Sequence, residues 1–336
     1  VHVGAGNLTY EIREIVAVGH ELHGLGVEMT WENIGDPVQK GEPPPGWIRE
    51  IVHDLLDEAR SWAYCDTAGV LETREFLAER VNQRSGGLRI TAQDILFFNG
   101  LGDAVSKVYG QLRREARVLG PSPAYSTHSS AESASSGYKH LTYDLDPHNG
   151  WMPDVDDIRM KVKYNDSIAG ILLLTPDNPT GAVYPRALLE EIAEIARQNQ
   201  CFIIADEIYA HIVYDGEHLQ ASARGRAARV CAMRGISRTD EWPGSRCGWI
   251  EVLNRDRDEN FSRYCTSLLA AKRLEVSSTT LPQMSIPRVM GDSRYAAHLR
   301  RREQMFSARA DETVGSFAGC ESVGVNTPGG AFYVTV

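Results

Sequence analysis

Short, wholly apolar runs alternate with stretches of helical spacing through the middle of the chain. DILFF (94–98) is followed by a glycine-containing loop, after which Ala104, Val105, Val108 and Leu112 recur at the interval of a helix buried on one face. IAGILLL (168–174) leads through a Pro/Asn/Gly turn into RALLEEIAEIARQNQ, where Leu188, Ile192 and Ile195 share a face. CFIIA (201–205) reads as a fully buried strand, and RVCAM (229–233) and CGWIEV (247–252) as two more. Strands that alternate with helices predict an α/β chain with a mainly parallel sheet covered on both faces.

In such sheets a ligand sits outside the carboxyl ends of the strands. The residues that follow those ends are Asn99–Gly102, Asp177–Gly181, Asp206–Tyr209 and Gly235–Arg238. Composition narrows the chemistry less than position does. A net charge of −10, with no basic run of five, argues against nucleic acid or an anionic membrane as the main partner. The apolar runs are too short to span a bilayer, and no secretory signal is expected at the start. Six scattered cysteines without a CxxC pair fit reduced thiols and a cytoplasmic protein. HELH (20–23) lacks a third ligand and reads as a solvated helix face, so no metal is expected. KGEPPPGW (40–47) reads as a linker stiffened by prolines.

DNPTG (177–181), ADEIY (205–209) and GSRCGW (244–249), in this order and each at a strand end, resemble the class I/II aminotransferases. These are pyridoxal phosphate (PLP) enzymes of the aspartate aminotransferase fold, fold type I. The likeness runs from about YEIREI (10–15) to GGAFY (329–333), and YCDTAGV (64–70) and DNPTGAVYP are most similar to alanine and aspartate aminotransferases. It implies a seven-stranded type of sheet in a large domain, residues 46–280, and a smaller α+β domain from 1–45 and 281–336. It also implies a homodimer.

The resemblance gives each strand-end residue a role, beside which the local chemistry offers a plainer one. Asp206 would pair with the pyridinium nitrogen and keep the ring an electron sink, where a helix cap is the alternative. Asn178 and Tyr209 would donate to the phenolate oxygen; turn chemistry and core packing are their alternatives. Arg246 offers a planar, always-charged fork for the phosphate, or a surface ion pair. The amides of Gly100, Leu101 and Gly102 open a helix and so face an anion. His128, in PSPAYSTH, corresponds to the aromatic that stacks on the cofactor; otherwise it is an exposed loop histidine. Tyr64 corresponds to the tyrosine that reaches the neighbouring subunit's cofactor, or is an ordinary core residue. Gly35, in NIGDP, fits the small residue beside the substrate carboxylate, or a turn glycine.

Many relatives have a hydroxyl residue at the position of Gly102, and the Schiff-base position departs from the family as well. Arg238 stands where the family has its Schiff-base lysine, with Ser237, Gly244 and Arg246 in register around it. A neutral amine attacks an aldehyde and then shuttles a proton, whereas a guanidinium with a pKa above ~12 does neither well. The resemblance places the arginine that clamps the substrate carboxylate beyond residue 336. The expected reaction moves an amino group between a small amino acid, of alanine or aspartate type, and a 2-oxo acid. A PLP-binding protein without catalysis, or a PLP β-lyase, are the alternatives.

Overall fold

The computed structural model describes residues 4, 6, 11–31, 35–84, 89–215 and 228–336. Eight strands form one sheet: β1 (Ile95–Phe98), β2 (Arg117–Ser122), β3 (Leu141–Asp146), β4 (Met152–Pro153), β5 (Ile168–Leu174), β6 (Phe202–Asp206), β7 (Arg229–Gly235) and β8 (Gly248–Leu253). Their order is β1-β8-β7-β6-β5-β2-β3-β4. The run β7-β6-β5-β2-β3 is parallel throughout. Strand β8 is antiparallel to both β7 and β1, and β4 adds a two-residue antiparallel edge to β3. The expected mainly parallel sheet is therefore present, as seven principal strands with a short ribbon at one margin.

Both faces are covered, which is why the strands read as continuous apolar runs rather than alternating ones. Along β6, Ile203 and Ala205 join one core while Phe202 and Ile204 join the other. The first face is covered by α3 (Leu71–Arg84), α6 (Val155–Tyr164) and α7 (Arg186–Gln198), through Leu77, Val81, Ile158, Val162, Leu189, Ile192 and Ile195. The second is covered by α4 (Leu101–Gly110) and α9 (Glu259–Lys272), through Ala104, Val105, Val108, Phe261, Cys265 and Leu268. Local chemistry starts these helices. The Asp154 carboxylate accepts from the Asp157 amide at 3.0 Å to cap α6, and Asp258 accepts from the Phe261 amide at 2.7 Å to cap α9.

The proline run leads into α2 (Gly46–Leu56), whose Ile48 packs with Val289 and Tyr295. Met284, on α10 (Thr280–Gly291), packs with Leu55 and Val70. The long α11 (Tyr295–Ser316) then returns toward the strand ends, where Phe306 joins a cluster with Tyr209, Ile212 and Ala331. Glu42 forms an ion pair with Arg309, and Gly35 lies against the Phe332 ring. Helix α1 (Glu11–Gly24) leaves His20 and His23 exposed, and no cluster of metal-ligating residues exists among the described residues. Nor is any described helix long and apolar enough to cross a membrane. All six cysteines are free thiols.

Candidate active site

Topology brings one end of every central strand to the same edge. Asp206 is level with Leu174 of β5 and Met233 of β7, so the carboxyl ends of these parallel strands coincide. Because β8 is antiparallel, its first residue, Gly248, pairs with both Gly235 and Phe98. Arg246, just before β8, therefore lies beside Gly100, just after β1. Together with Tyr125, Asn178, Asp206, Tyr209 and Arg238, these segments enclose a cavity of about 140 Å³.

Asp206 is fixed from two sides. Its Oδ1 accepts from the Ile208 amide at 3.1 Å, and its Oδ2 lies 3.0 Å from His128 Nε2. His128 Nδ1 is in turn 3.2 Å from the Tyr109 hydroxyl. Burial pushes Tyr109 well above the usual phenol range, so its hydroxyl stays protonated and donates to Nδ1. Nε2–H is then the donor to Asp206, and a neutral imidazole satisfies all three groups. This corrects the stacking role expected of His128: the ring is only 1% exposed, on α5 (Ser126–Ser136), and does not line the cavity. Tyr125 does line it, with its ring centroid 6.4 Å from that of His128. Tyr125, the extended residue just before α5, thus lines the cavity, while His128 backs the carboxylate.

The opposite end of the cavity suits an anion. Gly100 adopts φ 84° and ψ 166°, a conformation open essentially to glycine alone, and precedes α4. A Cβ there would fall 2.3 Å from Nη2 of Arg246, so its missing side chain makes room for the guanidinium. Leu101 and Gly102 line the same space, and their first-turn amides have no acceptor within the helix. Arg246 is exposed, and its Nη1 donates to the Pro243 carbonyl at 3.1 Å.

Between these ends, Asn178 Nδ2 donates to the Tyr333 hydroxyl at 3.2 Å, and the hydroxyls of Tyr333 and Tyr209 are 2.6 Å apart. Burial holds the Tyr209 phenol well above its ordinary range, so it remains a donor. The turn that presents Asn178 is built on Asp177, whose Oδ2 accepts from the Thr180 amide at 3.0 Å and hydroxyl at 2.6 Å. Burial pushes the Asp177 carboxyl up to about 6.

Arg238 lies on α8 (Ile236–Thr239), directly after β7, and its guanidinium rests 5.9 Å from the Tyr209 ring and 5.3 Å from that of Phe332. Its backbone is held by a buried side chain that no sequence motif singles out. Arg302 of α11 donates from Nη1 to the carbonyls of Arg238 and of Thr239, the latter at 3.0 Å, and from Nε pairs with Glu241 at 2.6 Å. The sequence spacing of Ser237, Gly244 and Arg246 remains the reason for aligning residue 238 with the family's lysine. None of the chain's six lysines lines the cavity.

Two expected residues lie elsewhere. Gly35 borders a second, larger cleft of about 480 Å³ together with Phe306, Arg309 and Phe332. Tyr64 is 83% exposed and outside this chain's own cavity.

The sequence model for aminotransferase class I and II matches residues 31–336. The chain belongs to that family. It is 51% identical over 338 residues to an uncharacterized aminotransferase of Methanocaldococcus jannaschii, covering 100% of this chain and 78% of the relative. It is 35% identical over 252 residues to the glutamate-pyruvate aminotransferase of Escherichia coli K12, covering 74% of this chain and 60% of that protein. An alanine aminotransferase structure from Pyrococcus furiosus superposes with a TM-score of 0.89 at 28% identity, over 98% of this chain and 82% of that one. A Thermus thermophilus aspartate aminotransferase, at 22% identity and TM-score 0.84, shares the fold. The aminotransferases of this family depend on PLP. The donors around this aminotransferase's cavity fit that cofactor: a glycine cradle with an arginine for phosphate, a locked carboxylate, and neutral hydroxyl and amide donors. The fit lacks a lysine amine.

Proposed function

We propose that the cavity binds PLP and that the chain carries the frame for moving an amino group between a small amino acid and a 2-oxo acid. The observation that carries this reading is the Asp206–His128–Tyr109 chain, which aims a fixed carboxylate into a cavity whose far end is the Gly100–Arg246 anion cradle. Bound there, PLP supplies an electron sink for bonds at the substrate α-carbon. Asp206 holds a proton at the ring nitrogen, Asn178 and Tyr209 donate to the ring oxygen, and Tyr125 covers one ring face. Arg246 and the first-turn amides of α4 hold the phosphate. The glutamate-pyruvate relative and the alanine aminotransferase neighbour support alanine, glutamate and their 2-oxo acids as the reactant class.

Arg238 divides binding from turnover. It occupies the position of the family's lysine, and a guanidinium offers neither a neutral nucleophile nor a proton shuttle near neutral pH. The chain as it stands holds its cofactor noncovalently and transaminates orders of magnitude more slowly than with lysine there. A noncatalytic, ligand-binding role is the second reading, favoured by this one residue.

A homodimer is part of the proposal. Trp62, Tyr64 and Leu274 are 74%, 83% and 90% exposed. Their loops are joined where Thr67 donates to the Val276 carbonyl at 2.8 Å and Thr280 to that of Ala63 at 2.7 Å. Thr279 Oγ1, 3.4 Å from the Arg246 carbonyl, ties this apolar surface to the cradle. We also propose a cytoplasmic setting and a two-domain division. Packing of α10 against α2 supports a hinge after residue 291 rather than at 280.

The test is a donor panel with Arg238→Lys beside the unmodified chain, followed as loss of cofactor absorbance on adding each amino acid. Alanine and glutamate should react with the lysine variant and leave the unmodified chain nearly unchanged. Preference for a bulky aromatic donor, or release of sulfide from cysteine, would move the protein to another branch of PLP chemistry.

A further inference from the structure

Among the described residues, the buried arginines contrast with those at the cavity. Those buried in the body each meet a carboxylate: Arg74 with Asp66 at 3.4 Å, Arg117 with Glu132 at 3.0 Å through Nη2, Arg302 with Glu241 at 2.6 Å, and Arg234 with Glu251 at 2.9 Å and with Glu207. The two that line the cavity do not. Among the described residues no carboxylate pairs with Arg238 or Arg246, although Arg238 is half-buried. What faces Arg238 instead are the rings of Tyr209 and Phe332, with the Tyr209 hydroxyl beside it. Burial disfavours its charge, but a guanidinium is basic enough to stay ionised near neutral pH. A lysine in such a place could lose its proton and sit neutral; arginine cannot. A desolvated, permanently charged fork without a counterion is matched by a planar anion, which it grips with two parallel hydrogen bonds.

From this we infer that the cavity selects doubly anionic pyridoxyl ligands: a phosphate at the Gly100–Arg246 end and a carboxylate on the substituent that meets Arg238. The inference rests on the reading of the cavity as a PLP site and adds which form of the ligand it prefers. An aldehyde gives the guanidinium only a neutral acceptor. A protonated amine, as in pyridoxamine phosphate, sets cation against cation. A carboxylate there completes the ion pair that every buried arginine named above already has.

Calorimetric titration of the unmodified chain with three ligands tests this: PLP, pyridoxamine 5′-phosphate and 4-pyridoxic acid 5′-phosphate. The carboxylate ligand should bind at least tenfold tighter than PLP, and the amine weakest. In Arg238→Met the carboxylate preference should vanish, whereas Arg246→Met should weaken all three alike. Equal affinities in the unmodified chain, or an amine that binds as tightly as the carboxylate, would overturn the inference while leaving the PLP site standing. If none of the three binds, the PLP reading itself fails. The comparison within the unmodified chain needs no variant to fold, and Arg238→Lys provides a second background in which the carboxylate preference should shrink.

Discussion

His128→Phe removes the centre of the Tyr109–His128–Asp206 chain while keeping a planar ring in a site with 1% exposure. Among the described residues the Tyr109 hydroxyl then has no acceptor, and Asp206 keeps the Ile208 amide and whatever enters the cavity. A buried hydroxyl left unpaired costs ~1–3 kcal/mol, and a lost hydrogen bond to a carboxylate ~1.5–3 kcal/mol, for a sum of roughly 3–6 kcal/mol. Unfolding entropy of ~2.1 cal/mol/K per residue makes this a fall in Tm of roughly 4–9 °C for a chain of 336 residues. Thermal and urea unfolding of the apo protein by circular dichroism would measure it. Adding Tyr109→Phe to the variant removes the orphaned hydroxyl, so the double variant should be no less stable than His128→Phe alone. PLP affinity should remain about tenfold weakened in both, because Asp206 has lost its orienting donor. The chain of hydrogen bonds is refuted if Tyr109→Phe costs as much in the His128→Phe background as in the unmodified protein.

Gly100→Ala places a methyl on the Arg246 guanidinium and a side chain at φ 84°. It should cost ~1–3 kcal/mol in stability from backbone strain and abolish competition of inorganic phosphate with PLP, whereas Gly102→Ala, whose Cβ meets nothing within 4 Å, should leave Tm within about 1 °C. Asp240 is buried against Glu241, Arg302 and Tyr295, and burial first, then the Glu241 charge, pushes its carboxyl up to about 7. A folded pKa above the unfolded value of ~3.9 means that the native state holds the extra proton, so stability falls as pH rises from about 4 to 7 and is lowest above it. The fall is on the order of 4 kcal/mol; Asp240→Asn should flatten it, seen as a smaller loss of Tm between pH 5 and pH 8. An unchanged pH dependence in that variant would show that Asp240 is ionised in the fold throughout.

The strand pattern was legible because strands buried on both faces are apolar at every position. IAGILLL is β5 as read, and CFIIA, RVCAM and CGWIEV mark β6, β7 and β8 to within two residues. Strands β2 and β3 carry no such pattern, because Pro121 and Gly120 interrupt one and Asp144 and Asp146 dilute the other. The strand-end residues were legible as a group, since parallel topology alone gathers Asn178, Asp206 and Arg238 at one edge. What each side chain does there was less so. Tyr125 and His128 both sit in one short motif, and it is the contacts of His128 with Tyr109 and Asp206, on other elements, that separate their roles. Arg302 comes from 64 residues beyond Arg238 and looks like any basic residue of an exposed helix until its carbonyl acceptors are in view. Likewise, the pairing of Arg234 with Glu207 and Glu251 depends on β8 being antiparallel to β7, which no local pattern reveals.

With arginine at residue 238, this aminotransferase site should hold PLP without a covalent bond. Saturating the unmodified chain and Arg238→Lys with PLP, treating both with borohydride and measuring intact mass after dialysis tests it most directly. The unmodified chain should return its own mass and release the cofactor, while the lysine variant should carry one phosphopyridoxyl group, mapped to residue 238. A stable adduct on the unmodified chain, or none on the lysine variant after PLP binding is demonstrated, would contradict the account.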